Sequence, residues 1–269
     1  MTVVHAYAKL NLTLVVGPRR EDGLHEIATV MQQIDLADRL EVEPAPELVV
    51  DGFEDTLVTH ALDLLEAVAQ PGHSWHVRID KAIPVAAGLG GGSADAAAAL
   101  VTANAALERP LPLERVLDLA GRVGSDVPFF VEPGPKLAEG AGERLTHAEV
   151  PQGWTAVVAV GHGAAKLSTA DVYERYDGVR RAEGFAGRRA AIELALADGN
   201  LGALPPNDLC FAVGGAPLAE ELLDASAFRA DLTGAGPAVY GLFAERETAE
   251  RAAGSLAGRA DVWVAQPVC

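Results

Sequence analysis

Lysine is scarce in this chain of 269 residues: Lys9, Lys81, Lys136 and Lys166 are all there are, and 21 basic residues face 38 acidic ones. The net charge of −17 argues against nucleic acid or an anionic membrane as partner, because such surfaces are bound through clustered Lys and Arg. A nucleotide ligand would have to be met by local positive groups. Cysteine is nearly absent too. Cys210 and Cys269 make neither a disulfide framework nor a zinc site; Cys210 reads as core and Cys269 as an exposed thiol. No apolar run approaches the length of a membrane span, and Met1 to Leu14 lacks the basic start and apolar core of a signal peptide. A cytoplasmic protein is expected.

What is present is enough apolar side chain, 49% of residues, for one large domain or two medium ones. The chain is organised around residues 81–101. Trp75, Val77 and Ile79 share one face of an expected strand from Ser74 to Asp80, and the alanine-rich run after Ser93 has the highest helix propensity in the sequence. Between them stands Gly88-Leu89-Gly90-Gly91-Gly92-Ser93, with four glycines in five positions. Glycine lets backbone approach a ligand closely, and a helix N-terminus offers free N–H groups and a positive dipole end. Together they make a phosphate cradle. The P-loop pattern is excluded because Gly-Lys-Ser/Thr is missing, and the dinucleotide fingerprint because Ser93 stands where its third glycine belongs. The competing reading is a tight turn that only packs an alanine-rich helix on a sheet.

Elsewhere, Val3 to Tyr7 and Leu10 to Val16 read as two extended pieces with Lys9 between them. A cation amid apolar strand residues either snorkels or has an anionic partner. Glu26 to Val42 reads as two strands with a polar turn at Asp35 to Arg39. Leu57, Ala61, Leu64, Leu65 and Val68 recur at helical spacing and predict a helix over 56–69, ended by Gln70-Pro71-Gly72. Leu113, Val116, Leu117 and Ala120 predict another, capped by Gly124, after which Asp126 precedes an apolar strand. From spacing alone Asp126 is a turn residue. Further on come strands over 154–160 and 261–266, helices over 186–197 and 245–257, a helix opening at Asn207, and a glycine turn at Asp231 to Tyr240. Strands mixed with helices without regular alternation argue for an α+β fold.

Pro84, Gly88 to Ala94 and the alanines beyond resemble the central motif of the GHMP kinases, named for galactokinase, homoserine, mevalonate and phosphomevalonate kinases. Tyr7-Ala8-Lys9-Leu10-Asn11-Leu12 and Arg19-Arg20-Glu21-Asp22-Gly23-Leu24-His25 resemble one branch, whose substrate is 4-diphosphocytidyl-2-C-methyl-D-erythritol, an intermediate of the non-mevalonate route to isoprenoids. Gly124 to Phe130, Leu167 to Tyr173 and Leu232 to Pro237 extend the likeness along nearly the whole chain. Two positions depart from that branch: Leu24 stands where it has a cytosine-stacking tyrosine, and Thr56 where it has an asparagine near adenine.

The resemblance implies a two-domain α+β GHMP fold, residues 1–150 and 151–269, with the active site in the cleft between the domains. It implies ATP-dependent phosphorylation of the substrate's 2-hydroxyl with Mg²⁺. Asp126 would be the base, and Lys9 would keep its carboxylate ionised and stabilise the developing alkoxide. ATP would be held by Lys81, Pro84, Gly88, Leu89, Gly90, Gly91, Gly92, Ser93, Thr56, Thr233 and Gly234, with Ser93 also placing the metal. Asn11 would meet the carbohydrate end of the substrate, and His25, Thr169 and Tyr173 the cytidine. The protein would act on this small molecule as a monomer or weak homodimer, with no nucleic-acid or membrane partner. Two alternatives are another GHMP kinase of the homoserine or mevalonate type, and a non-catalytic sensor of the same fold. Asp22 to His25 disfavours the first, and retention of both Lys9 and Asp126 the second.

Overall fold

The computed structural model describes residues 1–164, 167–179 and 183–268; Lys166 and Cys269 lie outside them. In chain order the elements are β1 (Thr2–Arg19), β2 (His25–Ala45), β3 (Val49–Asp51), α1 (Thr56–Ala69), β4 (Ser74–Asp80), α2 (Gly91–Ala105), α3 (Leu113–Val123), α4 (Val127–Val131), β5 (Lys136–Gly140) and β6 (Arg144–His147). There follow β7 (Thr155–Gly161), α5 (Thr169–Val179), α6 (Phe185–Ala197), two 3₁₀ turns, α7 (Pro217–Asp224), β8 (Arg229–Leu232), β9 (Val239–Phe243), α8 (Arg246–Leu256) and β10 (Ala260–Ala265). The mixture is α+β, as expected. None of the described helices is long and apolar enough to cross a membrane.

Two compact units emerge, and neither is one stretch of chain. The first comprises residues 1–8, 36–85 and 90–133, the second 9–35, 86–89 and 134–269. A single cut near Val150-Pro151 does not describe them, because β1 and β2 are each long enough to serve both units. The expected breaks in these strands do not occur: β1 continues through Ala8 and Lys9, and β2 through Asp35 to Arg39. Polar residues there are satisfied by bonds from elsewhere in their own unit, so no turn is needed to expose them.

In the first unit, β4 lies between β3, which runs parallel to it, and the antiparallel Arg39–Ala45 part of β2. Trp75, Val77 and Ile79 all point into the core at no more than 1% exposure, joined by α1, α2 and α3. Helix α1 has the expected bounds. Asp55 caps it by accepting from the N–H groups of Leu57 and Val58, and Gln70 ends it in a left-handed conformation. Its buried face is Val58, Ala61, Leu62 and Leu65, rotated from the expected one so that Val68 is exposed. Helix α3 ends at Gly124, but with φ 179° and ψ 156°, extended and not a left-handed glycine cap. Asp126 then starts α4 where a strand was expected; Pro128 fits this helix because the first turn has no intrahelical partner for its missing N–H.

The second unit contains a four-stranded sheet in the order β10-β7-β9-β8, every neighbour antiparallel. α5, α7 and α8 pack on it through Val172, Tyr176, Leu222, Ala249 and Leu256. The Ile27–Met31 part of β2 pairs antiparallel with β5, and β5 with β6. Cys210 is only partly buried, and burial raises its thiol to about 11.

Candidate active site

The candidate site residues are divided between the two units. In the first, α2 begins three residues earlier than helix propensity predicts, at Gly91, with Gly90 as cap in a left-handed conformation (φ 72°) and no side-chain bond from the cap. Gly91, Gly92 and Ser93 therefore form the first turn of a fifteen-residue helix whose dipole end is capped by backbone alone. A Cβ at Gly91 would come within 3.2 Å of Lys81 Nζ, and one at Gly92 within 3.3 Å of Asp55 Oδ2. Glycine at both positions lets the start of α2 pack closely against these side chains and leaves the backbone N–H groups of the first turn bare.

Lys81 is committed to two partners the sequence reading missed. Its Nζ donates to Asp38 Oδ2 at 2.5 Å and Asp95 Oδ2 at 2.7 Å, and lies 5.4 Å from the Phe53 ring centroid. Asp38 also accepts through Oδ1 from the N–H groups of Ala82 (2.6 Å) and Ile83 (2.8 Å), fixing the backbone that leads into the loop. Both carboxylates are fully buried. Burial pulls the Lys81 ammonium down, but the two carboxylate bonds outweigh it and leave it above the ordinary lysine value. Burial, reinforced by the Asp38 charge, pushes Asp95 up to about 7 against the Lys81 bond. The lysine is thus already neutralised by its own unit and is not a spare charge for a nucleotide. An Asp amid the alanines of α2 was the available signal, since a buried carboxylate needs a partner. Thr56 is exposed at the start of α1, and the Asp126 side chain makes no capping bond at the start of α4.

In the second unit, Lys9 is 3% exposed and its ammonium donates to Asn11 Oδ1. The Asn11 amide is held from its other end, where Nδ2 donates to Thr29 Oγ1 at 2.8 Å and Thr29 in turn donates to the Thr13 carbonyl at 2.6 Å. Asn11 N donates to Thr233 Oγ1 (3.0 Å), and Lys9 N to the Leu89 carbonyl (2.9 Å). A Cβ on Gly234 would lie 3.3 Å from both Lys9 Nζ and Asn11 Oδ1. So Lys9, Asn11, Gly88, Leu89, Thr233 and Gly234 are brought together, although the sequence scatters them. Pro84 belongs to the first unit.

His25 and Tyr173 also meet: their rings stack at 5.1 Å between centroids and 21° between planes. Thr169 opens α5 one turn before Tyr173 and is exposed. Leu24, beside His25, is 55% exposed.

These groups can be set against known proteins. Residues 56–134 match the GHMP kinases N terminal domain and residues 216–260 the GHMP kinases C terminal domain. A 4-diphosphocytidyl-2-C-methyl-D-erythritol kinase of Pelotomaculum thermopropionicum is 40% identical over 92% of this chain and 91% of its own length. The enzyme of that name from Thermoanaerobacter pseudethanolicus is 36% identical over 93% and 90%. The chain belongs to the 4-diphosphocytidyl-2-C-methyl-D-erythritol kinase family. A crystal structure of 4-(cytidine 5'-diphospho)-2C-methyl-D-erythritol kinase superposes with a TM-score of 0.84 at 30% identity, covering both chains completely. The GHMP kinase fold expected from the glycine loop is therefore the fold of this chain.

Proposed function

We propose that the protein is an ATP-dependent kinase that phosphorylates the 2-hydroxyl of 4-diphosphocytidyl-2-C-methyl-D-erythritol, in the non-mevalonate supply of isoprenoid precursors. The observation that carries this reading is the pairing of His25 with Tyr173 in a member of this family. A cytosine needs both a ring to lie on and an edge to bond, and these two side chains meet at 5.1 Å.

The γ-phosphoryl group of ATP passes to the substrate hydroxyl oxygen; the bond to the bridging oxygen breaks, ADP leaves, and Asp126 takes the hydroxyl proton. Phosphoryl transfer is mostly positioning and charge stabilisation. Gly88, Leu89, Gly90, Gly91, Gly92, Ser93 and the N-terminus of α2 would hold the ATP phosphates, Pro84, Thr233 and Gly234 would shape their surroundings, and Thr56 would face the adenine. Lys81 acts by holding Asp38 and Asp95, and through them the loop, instead of reaching the nucleotide. Lys9, aimed by Asn11, would stabilise the alkoxide. Asn11 also meets the carbohydrate end, and Thr169 joins His25 and Tyr173 at the cytidine. Mg²⁺ would be held chiefly by the ATP phosphate oxygens at the start of α2, where Ser93 would contribute a ligand, and it would offset their charge. In sequence terms the glycine loop, Lys9 and Asp126 lie in 1–150 and the third glycine motif in 151–269. The reaction belongs to the cytoplasm, where ATP is supplied, and to a monomer or weak homodimer.

A coupled ADP-release assay with Mg-ATP tests this, offering the cytidyl substrate, homoserine and mevalonate as acceptors. Turnover with the cytidyl substrate alone, abolished in Asp126→Ala, is the expected result. Turnover with homoserine or mevalonate instead would reassign the substrate, and ATP binding without any acceptor turnover would make the protein a sensor.

A further inference from the structure

Asp177 belongs to no motif, yet it faces His25. Both lie in the second unit: His25 opens β2, and Tyr173, Tyr176 and Asp177 line one stretch of α5. The imidazole is 7% exposed, stacked on Tyr173, and set edge-on to Tyr176 at 6.2 Å and 88°. Its Nε2 is 2.9 Å from Asp177 Oδ1, while Asp177 Oδ2 is 3.5 Å from the Arg19 guanidinium. A carboxylate can only accept, so the proton of this bond sits on Nε2. In the neutral ring Nδ1 then carries the lone pair and is an acceptor.

That distinction matters for a pyrimidine. Cytosine presents a 4-amino donor where uracil and thymine present a 4-oxo acceptor. An imidazole with its lone pair at Nδ1 bonds the first and repels the second.

We propose that Asp177 is the positioning residue that makes this site select cytosine over uracil, by holding the His25 proton on Nε2 and leaving Nδ1 to accept from the 4-amino group. The inference rests on the cytidyl reading of the site. Without Asp177 the proton is free to move to Nδ1, which turns the same ring position into a donor suited to uracil O4. Exchanging an acceptor for a donor at this one position should change the preference by roughly tenfold or more, within the range of base-edge discrimination.

The test uses the full chain as wild type, Asp177→Ala and Asp177→Asn. CDP and UDP affinities are measured by calorimetry, and the tautomer of His25 by ¹⁵N NMR. Asp177 is 40% exposed on a helix, so both variants should fold. The expected result is an Nε2–H tautomer and a CDP preference of about tenfold or more in the wild type, with the preference falling to about threefold or less in Asp177→Ala. The Asn variant keeps an acceptor oxygen and should retain most of the preference. An Nδ1–H tautomer in the wild type, or a CDP preference that survives in Asp177→Ala, overturns the inference alone. So do equal losses of CDP and UDP affinity, the mark of mere packing. A wild type that binds neither nucleotide overturns the cytidyl reading and this inference with it.

Discussion

Lys81 donates to Asp95 at 2.7 Å while the other oxygen of that carboxylate, Oδ1, is buried with no hydrogen-bond partner among the described residues. One ammonium serves two buried carboxylates, Asp38 and Asp95, and Asp38 also takes two backbone N–H groups. Asp95 is therefore the member that protonates first, which agrees with its rise to about 7.

The sign of the pH effect follows. An unfolded Asp loses its proton near pH 3.9, whereas folded Asp95 keeps it until about 7, so the folded state binds more protons between these values. The stability contributed by this group is complete below pH 4 and is lost as pH rises through 7. Asp95→Asn removes the titration and keeps an oxygen for Lys81. Denaturant melts at pH 5 and pH 8 should show the wild type losing on the order of 1–2 kcal/mol relative to the Asn variant on going to the higher pH. A constant difference between the two proteins would refute the assignment.

Gly88→Ala should damage the loop more than its size suggests. Gly88 has φ +86°, and a Cβ there would come 2.4 Å from the Thr233 carbonyl oxygen, which is backbone and cannot rotate away. Strain of this kind costs roughly 1–3 kcal/mol before the clash is counted. The expected outcome is a clearly lowered Tm together with weaker ATP binding; a Tm within a degree of wild type would mean that the loop relaxes freely.

Periodicity and capping made much of this fold legible. Alternation at Trp75, Val77 and Ile79 located β4, and the spacing of Leu57, Ala61 and Leu65 with the stop at Gln70-Pro71-Gly72 bounded α1. What failed was wherever a polar residue is satisfied by a distant partner. Asp35 to Arg39 looked like a turn, yet Asp38 is buried in β2 because Lys81 and the N–H groups of Ala82 and Ile83 reach it. Asp35 is matched in the same way by Gln266, bonding it through both backbone and side chain. Glycine's poor propensity hid the start of α2 at Gly91. The motif residues His25 and Tyr173 were legible as a set, but Asp177 was not, since nothing local marks it as the partner of a histidine in another element.

Leu24→Tyr is expected to be a gain-of-affinity change. Leu24 is 55% exposed next to His25, so a larger ring there displaces nothing from the core. Stacking a base on an aromatic side chain is worth about 1–3 kcal/mol, so KM for the cytidyl substrate should fall by about fivefold or more with kcat little altered. The converse change, Tyr173→Ala, should raise KM by a similar factor. If neither substitution moves KM, the cytosine is not held at this ring pair.

Lys9 gives the sharpest separation of stability from catalysis. Its ammonium is 3% exposed and bonded to Asn11, so the folded protein carries the desolvation cost of a buried charge. Lys9→Met keeps the length and apolar stem while removing the charge, and with it the cost of holding an ammonium out of water. The Asn11 oxygen loses a donor, which offsets part of that gain by about 1 kcal/mol. The variant should therefore melt within a few degrees of wild type. Its kcat should nevertheless collapse, because the alkoxide formed as the hydroxyl proton leaves would have no positive partner. A fall on the order of 10²–10³ is expected for loss of one such stabilising group, with KM for ATP nearly unchanged. Asp126→Asn should lose on the order of 10²–10⁴ through the missing base. If the two residues act on the same proton transfer, the double variant will be little worse than the poorer single one. Fully additive losses would mean that Lys9 and Asp126 serve separate steps.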